Sequence, residues 1–392
     1  MSDPATRTPA AAEALTLGAV DVLPAGGLAQ RLEQGTPLRV KLGIDPTAPD
    51  IHLGHVVVLE KLRQFQEQGH TAVMIIGDYT ARVGDPSGRS AERPVLDTQQ
   101  IEANARTFQE QAFKVLDPQL TEVRFNSEWL DMPSAELFGL ARRFTVARLL
   151  ERDDFTRRMA AAEPISMLEL LYPVLQGYDS VAVGADLELG GTEQKFNLLF
   201  ARDVQASFGR PPQLVLTMPI LPGTDGVQKM SKSLNNYVGV AEPPAEVFGK
   251  LMSIPDSALA AYWKLLLGEE LDLARHPMEC KRELARRICE RFGGDGSGAV
   301  AEARFDQVHR HREIPEDIPV RELGEEDPVH LPVLIRDGFG VSGSEARRLI
   351  EQGAVRIDGT PVDAARLDLP ASELRGRVLQ LGKRRFLRIG NG

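Results

Sequence analysis

The first half of the chain alternates short apolar runs with stretches of helical periodicity. Residues 38–44 (LRVKLGI) and 71–77 (TAVMIIG) have the apolar, β-branched character of buried strands. Residues 52–68 place apolar side chains at helical spacing, and Gly69 follows as a stop signal. A strand, a helix and a second strand in this order form a βαβ unit, which implies parallel strands and a right-handed crossover.

Similar patterns continue along the chain. Further helices are predicted at 97–115, 134–150 and 165–175, and a further strand at 213–218 (QLVLTM). This alternation predicts an α/β fold with a Rossmann-like, doubly wound parallel sheet. From residue 244 to residue 312 the pattern is helical only.

The tail has a different composition. A helix is predicted at 344–352, a hairpin at 353–362 with Asp358 and Gly359 at its turn, and a basic strand at 383–390. We therefore predict a flexible N-terminus (1–15), a Rossmann-like catalytic domain (16–236), a helical domain (237–312), an acidic, proline-containing linker (313–328) and a small C-terminal α+β domain (329–392).

Composition narrows the function classes. The 392 residues are too many for one compact core, and a net charge of -10 argues against a general nucleic-acid binder. From residue 328 onward, however, 11 Lys and Arg residues outnumber 7 Asp and Glu residues, so a polyanion is expected to contact this tail and local patches. No apolar run reaches the roughly 20 residues of a membrane span. Cys280 and Cys289 are spaced for opposite helix faces, which predicts buried free thiols and a cytoplasmic protein.

The stretch GIDPTAPDIHLGH (43–55) follows the first of these strands and opens the predicted helix. A helix N-terminus attracts phosphate, because its N–H groups are unpaired and its dipole is positive there. His52 and His55 share a face of the first turn, where they could donate hydrogen bonds to phosphate oxygens. Gly54 would let a flat ligand lie against the backbone. From these residues alone, phosphate binding by the histidines and a role as solvated helix caps are equally well supported.

A second stretch, GTDGVQKMSKS (223–233), is a glycine-containing loop that carries Lys229 and Lys232. A mobile lysine pair suits a phosphate chain whose charge is redistributed during reaction; alone, such a run is usually a solvated surface. The chain has no GxxxxGK[ST] loop and no strand-linked GxGxxG, which excludes P-loop and dinucleotide sites. HLGH and KMSKS in this order resemble the paired signature of the class I aminoacyl-tRNA synthetases.

Three more stretches resemble the bacterial tyrosyl-tRNA synthetases: GDPSGRSAERP (84–94), LLYPVLQGYDS (170–180) and LGGTEQ (189–194). The resemblance implies that Asp85, Tyr172 and Gln176 hold the α-ammonium of the amino acid and that Asp179 accepts the phenolic hydroxyl. The spacing of Tyr172, Gln176 and Asp179 would place them on one helical face. Without the other motifs, a cap at the end of a helix would be the preferred interpretation of Asp179.

The same resemblance implies an ATP site. The residues that would contact phosphate are Thr47, His52, His55, Lys229 and Lys232. Gln194 would contact the reacting carboxylate. The other residues that it places in the ATP and amino-acid site are Asp45, Gly54, Gly191, Glu193, Met230, Ser231 and Ser233. Arg89 and Arg93 would position phosphates or the tRNA acceptor end, although a solvated loop fits them equally well.

Two positions depart from the family pattern. Lys41 stands where many members carry a tyrosine, so it is a candidate second donor to the phenol, or it points away. Glu193 stands where the family usually has aspartate, and its longer side chain shifts the carboxylate that would contact the ribose.

The tail resembles a small RNA-binding domain named after a ribosomal protein, with Ser344, Arg347 and Arg348 on its predicted RNA surface; a purely structural role is the alternative. The family resemblance implies activation of L-tyrosine by ATP, supplied with Mg²⁺ and without a metal held by the protein, and transfer to tRNA(Tyr). It also implies a homodimer, for which 105–115 and 134–150 are the predicted interface, and a helical domain on the anticodon side. The rival interpretations are a tryptophanyl-tRNA synthetase and a non-catalytic RNA-binding relative.

Overall fold

A computed structural model describes residues 4–47, 49–86, 98–309, 318–324, 327–382 and 385–390. The chain forms two compact units. The first unit comprises Met1–Glu242 and Ser253–Lys281, and the second unit comprises Pro243–Met252 and Arg282–Gly392. The helical domain predicted at 237–312 is therefore shared between the two units.

The first unit is built on a six-stranded sheet. Its strands are β1 (Asp21–Leu23), β2 (Arg39–Ile44), β3 (Thr71–Ile76), β4 (Thr121–Phe125), β5 (Leu187–Gly191) and β6 (Leu214–Met218). Their order is β1-β6-β5-β2-β3-β4, in which β2 to β6 are parallel and β1 joins the edge antiparallel to β6. The predicted doubly wound parallel sheet is confirmed. The chain order reverses between β2 and β5, which is where such sheets bind ligands.

Helices form much of the rest of the described chain. In chain order they are α1 (Pro4–Thr16), α2 (Gly27–Glu33), α3 (Leu53–Glu67), α4 (Thr80–Val83), α5 (Thr98–Ala112), α6 (Ser127–Leu130), α7 (Ser134–Ala141), α8 (Val146–Leu149), α9 (Asp153–Ala160), α10 (Met167–Val183), α11 (Lys195–Ser207), α12 (Pro244–Met252), α13 (Asp256–Tyr262), α14 (Pro277–Gly293), α15 (Ser297–His309), α16 (Leu331–Phe339) and α17 (Gly343–Glu351). A π-helical turn, Trp263–Leu267, follows α13. Among the described helices, none is both long and apolar enough to cross a membrane.

Three helical predictions differ from the structure. The helix predicted at 134–150 is divided into α7 and α8, because the Thr145 side chain accepts a hydrogen bond from the Arg148 N–H and starts a new helix. The helix predicted at 165–175 extends to Val183 as α10, and continues through Pro173. The N-terminal stretch predicted to be flexible contains α1, near whose end Leu15 is fully buried.

The second unit contains a small sheet in the tail. Its described strands are β7 (Val320–Arg321), β9 (Val355–Ile357), β10 (Thr360–Pro361), β12 (Val378–Leu381) and β13 (Arg385–Ile389), in the order β10-β9-β12-β13-β7; β8 (Val329–His330) and β11 (Asp368–Leu369) form a separate pair. The predicted hairpin is present as β9 and β10, and Asp358 and Gly359 both adopt positive φ at its turn. Apolar residues of α16 and α17 are buried in the same core as those of this sheet.

Candidate active site

A cavity of about 390 Å³ lies at the carboxyl ends of β2 and β5, where the sheet order reverses. The sequence-predicted site residues that line it are Asp45, Thr47, His52, Gly54, His55, Asp85, Tyr172, Gly191, Glu193, Gln194, Lys229, Met230, Ser231, Lys232 and Ser233. The structure therefore brings together the HLGH, LGGTEQ and KMSKS stretches, which are far apart in sequence. Arg89 and Arg93 lie outside the described residues.

The loop after β2 is held by side chains of α5. The Asn104 amide donates to the Pro46 carbonyl at 2.9 Å, and the Ile51 N–H donates to Gln111 Oε1 at 2.7 Å. These contacts give polar partners to backbone groups that the irregular, proline-bearing loop cannot pair within itself. The loop is thereby fixed in a conformation that places His52 at the N-cap of α3.

The two histidines form a stacked pair with ring centroids 3.8 Å apart. The His52 N–H donates to His55 Nδ1 at 3.2 Å. Burial, with the added effect of Lys232 and Lys229, lowers the pKa of His55 to about 4, and burial also holds the pKa of His52 well below its usual value. A Cβ at Gly54 would stand 3.0 Å from the His52 ring, so a larger residue here would require the ring to shift slightly.

The KMSKS loop reaches the histidines because its continuation pairs with the start of α3. The Leu53 N–H donates to the Val238 carbonyl at 2.9 Å, and the Val240 N–H donates to the Ile51 carbonyl at 3.0 Å. This short antiparallel pairing, which is centred on a bridge between His52 and Gly239, explains how two motifs distant in sequence share one cavity.

Asn236 organises the KMSKS loop from within. Its side-chain carbonyl accepts a hydrogen bond from the Ser231 N–H at 2.8 Å, and its amide donates to Asp225 Oδ2 at 2.7 Å and to the Lys229 carbonyl at 3.1 Å. Asn236 is almost fully buried. The sequence alone did not indicate Asn236, whose only signal is a polar side chain shortly after KMSKS.

Lys232 is ion-paired with Asp50, a second residue that the sequence analysis missed. The Lys232 ammonium also lies 5.5 Å from the centre of the Tyr237 ring. Asp50 belongs to the loop between β2 and α3, and both residues of the pair line the cavity. Asp50 is therefore paired with the lysine that was predicted to contact phosphate.

Tyr172 lines the cavity and is hydrogen-bonded to Asp45. Its hydroxyl donates to Asp45 Oδ2 at 2.9 Å, while Thr80 Oγ1 donates to Asp45 Oδ1 at 2.6 Å. Asp85 is within 3.4 Å of the Asn197 amide. These contacts place two of the three predicted ammonium partners at the cavity wall.

Gln176 and Asp179 are on the same helix as Tyr172 but are buried and do not line the cavity. Asp179 accepts hydrogen bonds from Trp129 Nε1 at 2.8 Å and from the Asn126 amide at 3.4 Å. Burial raises the pKa of Asp179 to about 7, against the opposing effect of Lys41 and these two donors. Trp129 and Asn126 were not found from the sequence.

Lys41 does not line the cavity either. Its side chain is fully buried, and Nζ lies 2.9 Å from Glu188 Oε1. The same ammonium donates to the Gln176 carbonyl at 2.9 Å and to Ser180 Oγ at 2.7 Å. The sequence left two options for Lys41, a second donor to the phenol or a side chain that points away. In the structure Lys41 points away from the cavity and forms an ion pair with Glu188.

Glu193 and Gln194 form the end of the cavity that follows β5. The Gly191 N–H donates to Gln194 Oε1 at 3.1 Å. Glu193 Oε2 is buried and has no hydrogen-bond partner among the described residues. A buried acceptor without a partner is costly, so this oxygen is available to a ligand hydroxyl.

In the second unit, Ser344, Arg347 and Arg348 line a separate cavity of about 410 Å³, together with His330 and Arg336. The helix cap is Ser342, whose hydroxyl accepts the Glu345 N–H at 3.2 Å. Ser344 is one position past the start of α17, so its hydroxyl belongs to the first turn, where phosphate oxygens are favoured.

No group of three or more His, Cys, Asp or Glu side chains suited to a metal ion occurs among the residues that the structure describes. Both cysteines are free and buried, as the sequence predicted.

Comparisons with known proteins show the family of the chain. The family model described as tRNA synthetases class I (W and Y) matches residues 33–302, and the S4 domain model matches residues 331–369. A tyrosine–tRNA ligase of Moorella thermoacetica is 50% identical over 96% of this chain and 94% of its own length. One of Bordetella avium is 51% identical over 92% of this chain and 90% of its own.

Among solved structures, the tyrosyl-tRNA synthetase of Archaeoglobus fulgidus, complexed with L-tyrosine, matches with a TM-score of 0.62 at 22% identity, over 75% of this chain and 99% of that one. This match shows a shared fold. The family model spans well over half of the chain, and the curated relatives are similar over nearly all of it. The chain belongs to the family of class I tRNA synthetases for tryptophan and tyrosine, and carries an S4 domain in its tail.

Proposed function

We propose that this chain is a tyrosine–tRNA ligase: it activates L-tyrosine with ATP and transfers the tyrosyl group to the 3′-terminal ribose of tRNA(Tyr). The observation that carries this proposal is that His52, His55, Lys229 and Lys232 line the same cavity as Tyr172 and Asp85. The curated relatives named above are tyrosine–tRNA ligases.

In the first step, the tyrosine carboxylate attacks the α-phosphorus of ATP and displaces pyrophosphate. The carboxylate is already ionised at neutral pH, so the step needs no general base. Catalysis is then positioning and charge stabilisation. Lys229 and Lys232 supply positive charge to the phosphates, and His52 and His55 supply neutral imidazole donors. ATP arrives with Mg²⁺ as its substrate complex.

The ribose and the carboxylate would lie at the other end of the cavity. The unpaired Glu193 Oε2 is suited to accept a ribose hydroxyl, which supports the ribose role despite the glutamate at this position. Gln194 approaches the Gly191 backbone, and its amide nitrogen is the remaining donor for the reacting carboxylate.

Tyrosine would be selected by Asp179. A phenolic hydroxyl that donates to this buried carboxylate compensates its desolvation, whereas phenylalanine would leave it with one partner fewer. Discrimination of this kind is already known for tyrosyl-tRNA synthetases, and the burial of Asp179 accounts for its direction. Tryptophan is the competing substrate, since the family model covers both amino acids.

The tail supports the RNA partner. Ser344, Arg347 and Arg348 lie around one cavity, and the side chains of Arg347 and Arg348 can pair with phosphate oxygens. The second step, in which a ribose hydroxyl of the tRNA takes the tyrosyl group from the adenylate, needs the tRNA bound in register.

A homodimer is part of the proposal. Phe138 and Val146 are 68% and 55% exposed, and both belong to the predicted interface at 134–150. In the other predicted stretch, 105–115, Ala105, Phe108 and Ala112 are buried within the first unit. The exposed apolar side chains therefore support 134–150, and not 105–115, as the dimer interface. Free buried cysteines accord with a cytoplasmic location.

The test is ATP–pyrophosphate exchange with tyrosine, phenylalanine and tryptophan in parallel, followed by charging of tRNA(Tyr). Tyrosine is expected to give exchange at the lowest concentration and to be transferred to the tRNA. Exchange with tryptophan alone would favour the rival synthetase. Absence of exchange with all three amino acids, in a folded protein that binds RNA, would favour the non-catalytic relative.

A further inference from the structure

The buried ion pair between Lys41 and Glu188 lies beside the predicted substrate residues but outside the cavity. Lys41 of β2 and Glu188 of β5 are register partners in the parallel ladder, so their side chains leave the same face of the sheet. Their side chains are 0% and 1% exposed. An ion pair this deep is costly to desolvate, and it adds little net stability unless its other hydrogen bonds are made.

Most of those hydrogen bonds are made with residues of α10. Glu188 Oε1 accepts the Gln176 amide at 2.9 Å, and Glu188 Oε2 accepts Ser180 Oγ at 3.2 Å and the Gln213 amide. Lys41 in turn donates to the Gln176 carbonyl and to Ser180 Oγ. Both ends of the pair therefore hold Gln176, one through its backbone and the other through its side chain.

The consequence is a fixed orientation of the Gln176 amide. A carboxylate in an ion pair only accepts hydrogen bonds, so the NH₂ group of Gln176 must face Glu188. Its carbonyl oxygen then faces Asn197, whose amide donates to it at 3.0 Å and lies 3.4 Å from Asp85. The Asn197 amide therefore links this oxygen to the carboxylate of Asp85, which lines the cavity, and the oxygen keeps a second lone pair for a further donor.

We propose that the Lys41–Glu188 pair is a positioning device that turns the Gln176 carbonyl toward the α-ammonium of the amino acid. This inference rests on the proposed function, in which Gln176 and Asp85 hold that ammonium. Lys41 and Glu188 touch no substrate; they act through Gln176. If the amide were reversed, its NH₂ group would face the ammonium, and a donor would oppose a donor.

The test uses Glu188→Gln and the double variant Lys41→Met/Glu188→Gln, which removes both buried charges. A glutamine at 188 can offer either its oxygen or its NH₂ group, so the Gln176 amide loses its fixed orientation. We expect the KM for tyrosine in pyrophosphate exchange to rise about tenfold, the scale of one hydrogen bond to a charged group. The KM for ATP is expected to stay within about twofold, since no hydrogen bond to ATP is removed.

A ligand without the ammonium separates positioning from general damage. 3-(4-Hydroxyphenyl)propionate has the phenol and the carboxylate of tyrosine but no amine, so its inhibition constant is expected to stay unchanged in both variants. Lys61→Met is the matched control. Lys61 is also buried, but it bonds to the Leu17 carbonyl and to Gln64, away from the cavity. It should leave all these constants unchanged.

Thermal unfolding establishes that each variant is folded before it is assayed. If the double variant does not fold, Glu188→Gln alone decides the question. A folded variant with the wild-type KM for tyrosine, or one that weakens the amine-free analogue equally, overturns the inference. Failure of the proposed function itself has a different signature, because the wild-type chain would then give no tyrosine-dependent exchange.

Discussion

The backbone N–H of His52 donates to Nδ1 of His55, and this fixes the tautomer of the His55 ring. A neutral imidazole has one donor nitrogen and one acceptor nitrogen, so acceptance at Nδ1 places the proton on Nε2. Because burial lowers the pKa of His55 to about 4, the ring is neutral at pH 7. In the proposed mechanism, His55 would therefore offer the phosphates a hydrogen bond and no charge.

Substitutions at His55 should reflect this geometry. His55→Gln can place an amide NH₂ near the former Nε2, whereas His55→Asn can replace only the acceptor at Nδ1. We expect His55→Asn to slow adenylate formation by about 10²-fold, as for loss of one transition-state donor, and His55→Gln to slow it less. Single-turnover formation of adenylate measures the rate, and equilibrium dialysis with tyrosine should show nearly unchanged affinity. Equal rates for the two variants would contradict the assignment of Nε2.

The same histidine should make stability depend on pH. The ordinary pKa of 6.5 in the unfolded chain falls to about 4 in the folded protein, so between these values the unfolded chain binds more protons. This group therefore lowers the free energy of unfolding as pH falls from 6.5 toward 4. Urea denaturation at pH 7 and pH 5 should show a larger loss for the wild-type protein than for His55→Gln. A loss of the same size in both would contradict the prediction.

In the proposed mechanism, Asp50 would compete with ATP for Lys232, with which it forms an ion pair. Asp50→Asn removes the carboxylate but keeps the shape of the side chain, so Lys232 no longer exchanges an ion pair for phosphate. The two side chains of the pair, Lys232 and Asp50, are 23% and 36% exposed, and such pairs are typically worth about 0.2–1 kcal/mol. We expect the KM for ATP to fall by up to about fivefold in pyrophosphate exchange. Asp50→Glu, which keeps the charge, is the control, and an increase in the KM for ATP in Asp50→Asn would show that Asp50 assists ATP binding.

Asp179 should make amino-acid selectivity depend on pH. Its pKa is raised to about 7, so it is mostly ionised at pH 8 and mostly protonated at pH 6. An ionised carboxylate left without the phenol costs more than a neutral one, so discrimination against phenylalanine should weaken at the lower pH. The ratio of kcat/KM for tyrosine and phenylalanine across this range measures the effect. In Asp179→Asn the ratio should be lower and independent of pH.

The tail should bind RNA without taking part in activation. Arg347→Glu together with Arg348→Glu reverses two charges on the cavity that also contains Ser344. We expect a higher KM for tRNA(Tyr) in charging, and a smaller salt dependence, because phosphate contacts are lost. Pyrophosphate exchange without tRNA should be unchanged. Arg375, which is in the same small domain but does not line this cavity, offers Arg375→Glu as the matched control.

In the six-stranded sheet, the sequence predicted β2, β3 and β6 and missed β1, β4 and β5. Glu122 and Arg124 alternate along β4, and Glu188 lies within β5. In the folded chain these charges have partners elsewhere in the first unit, as Glu122 does with Arg39. Such partners are distant in sequence, so the local pattern does not reveal them.

The same limit applies to the site. The motifs recognised from local spacing contain most of the predicted residues that line the cavity. They meet there because strand ends and helix starts lie at one edge of a parallel sheet. The residues that orient the walls, such as Asn236, Trp129 and Glu188, have no local signature. The orientation of Lys41 could not be derived from its own neighbours, since it depends on the residue that becomes its register partner.

The division of the chain into two units has a practical consequence for truncation. Tyr262 belongs to the first unit through the segment Ser253–Lys281, and its buried hydroxyl donates to the Pro222 carbonyl at the base of the KMSKS loop. A protein shortened at the predicted domain end near residue 236 would lose this support. The smallest fragment that keeps every residue of the first unit must extend to Lys281, and so must retain Pro243–Met252, a segment of the other unit. No single cut in the chain separates the two units.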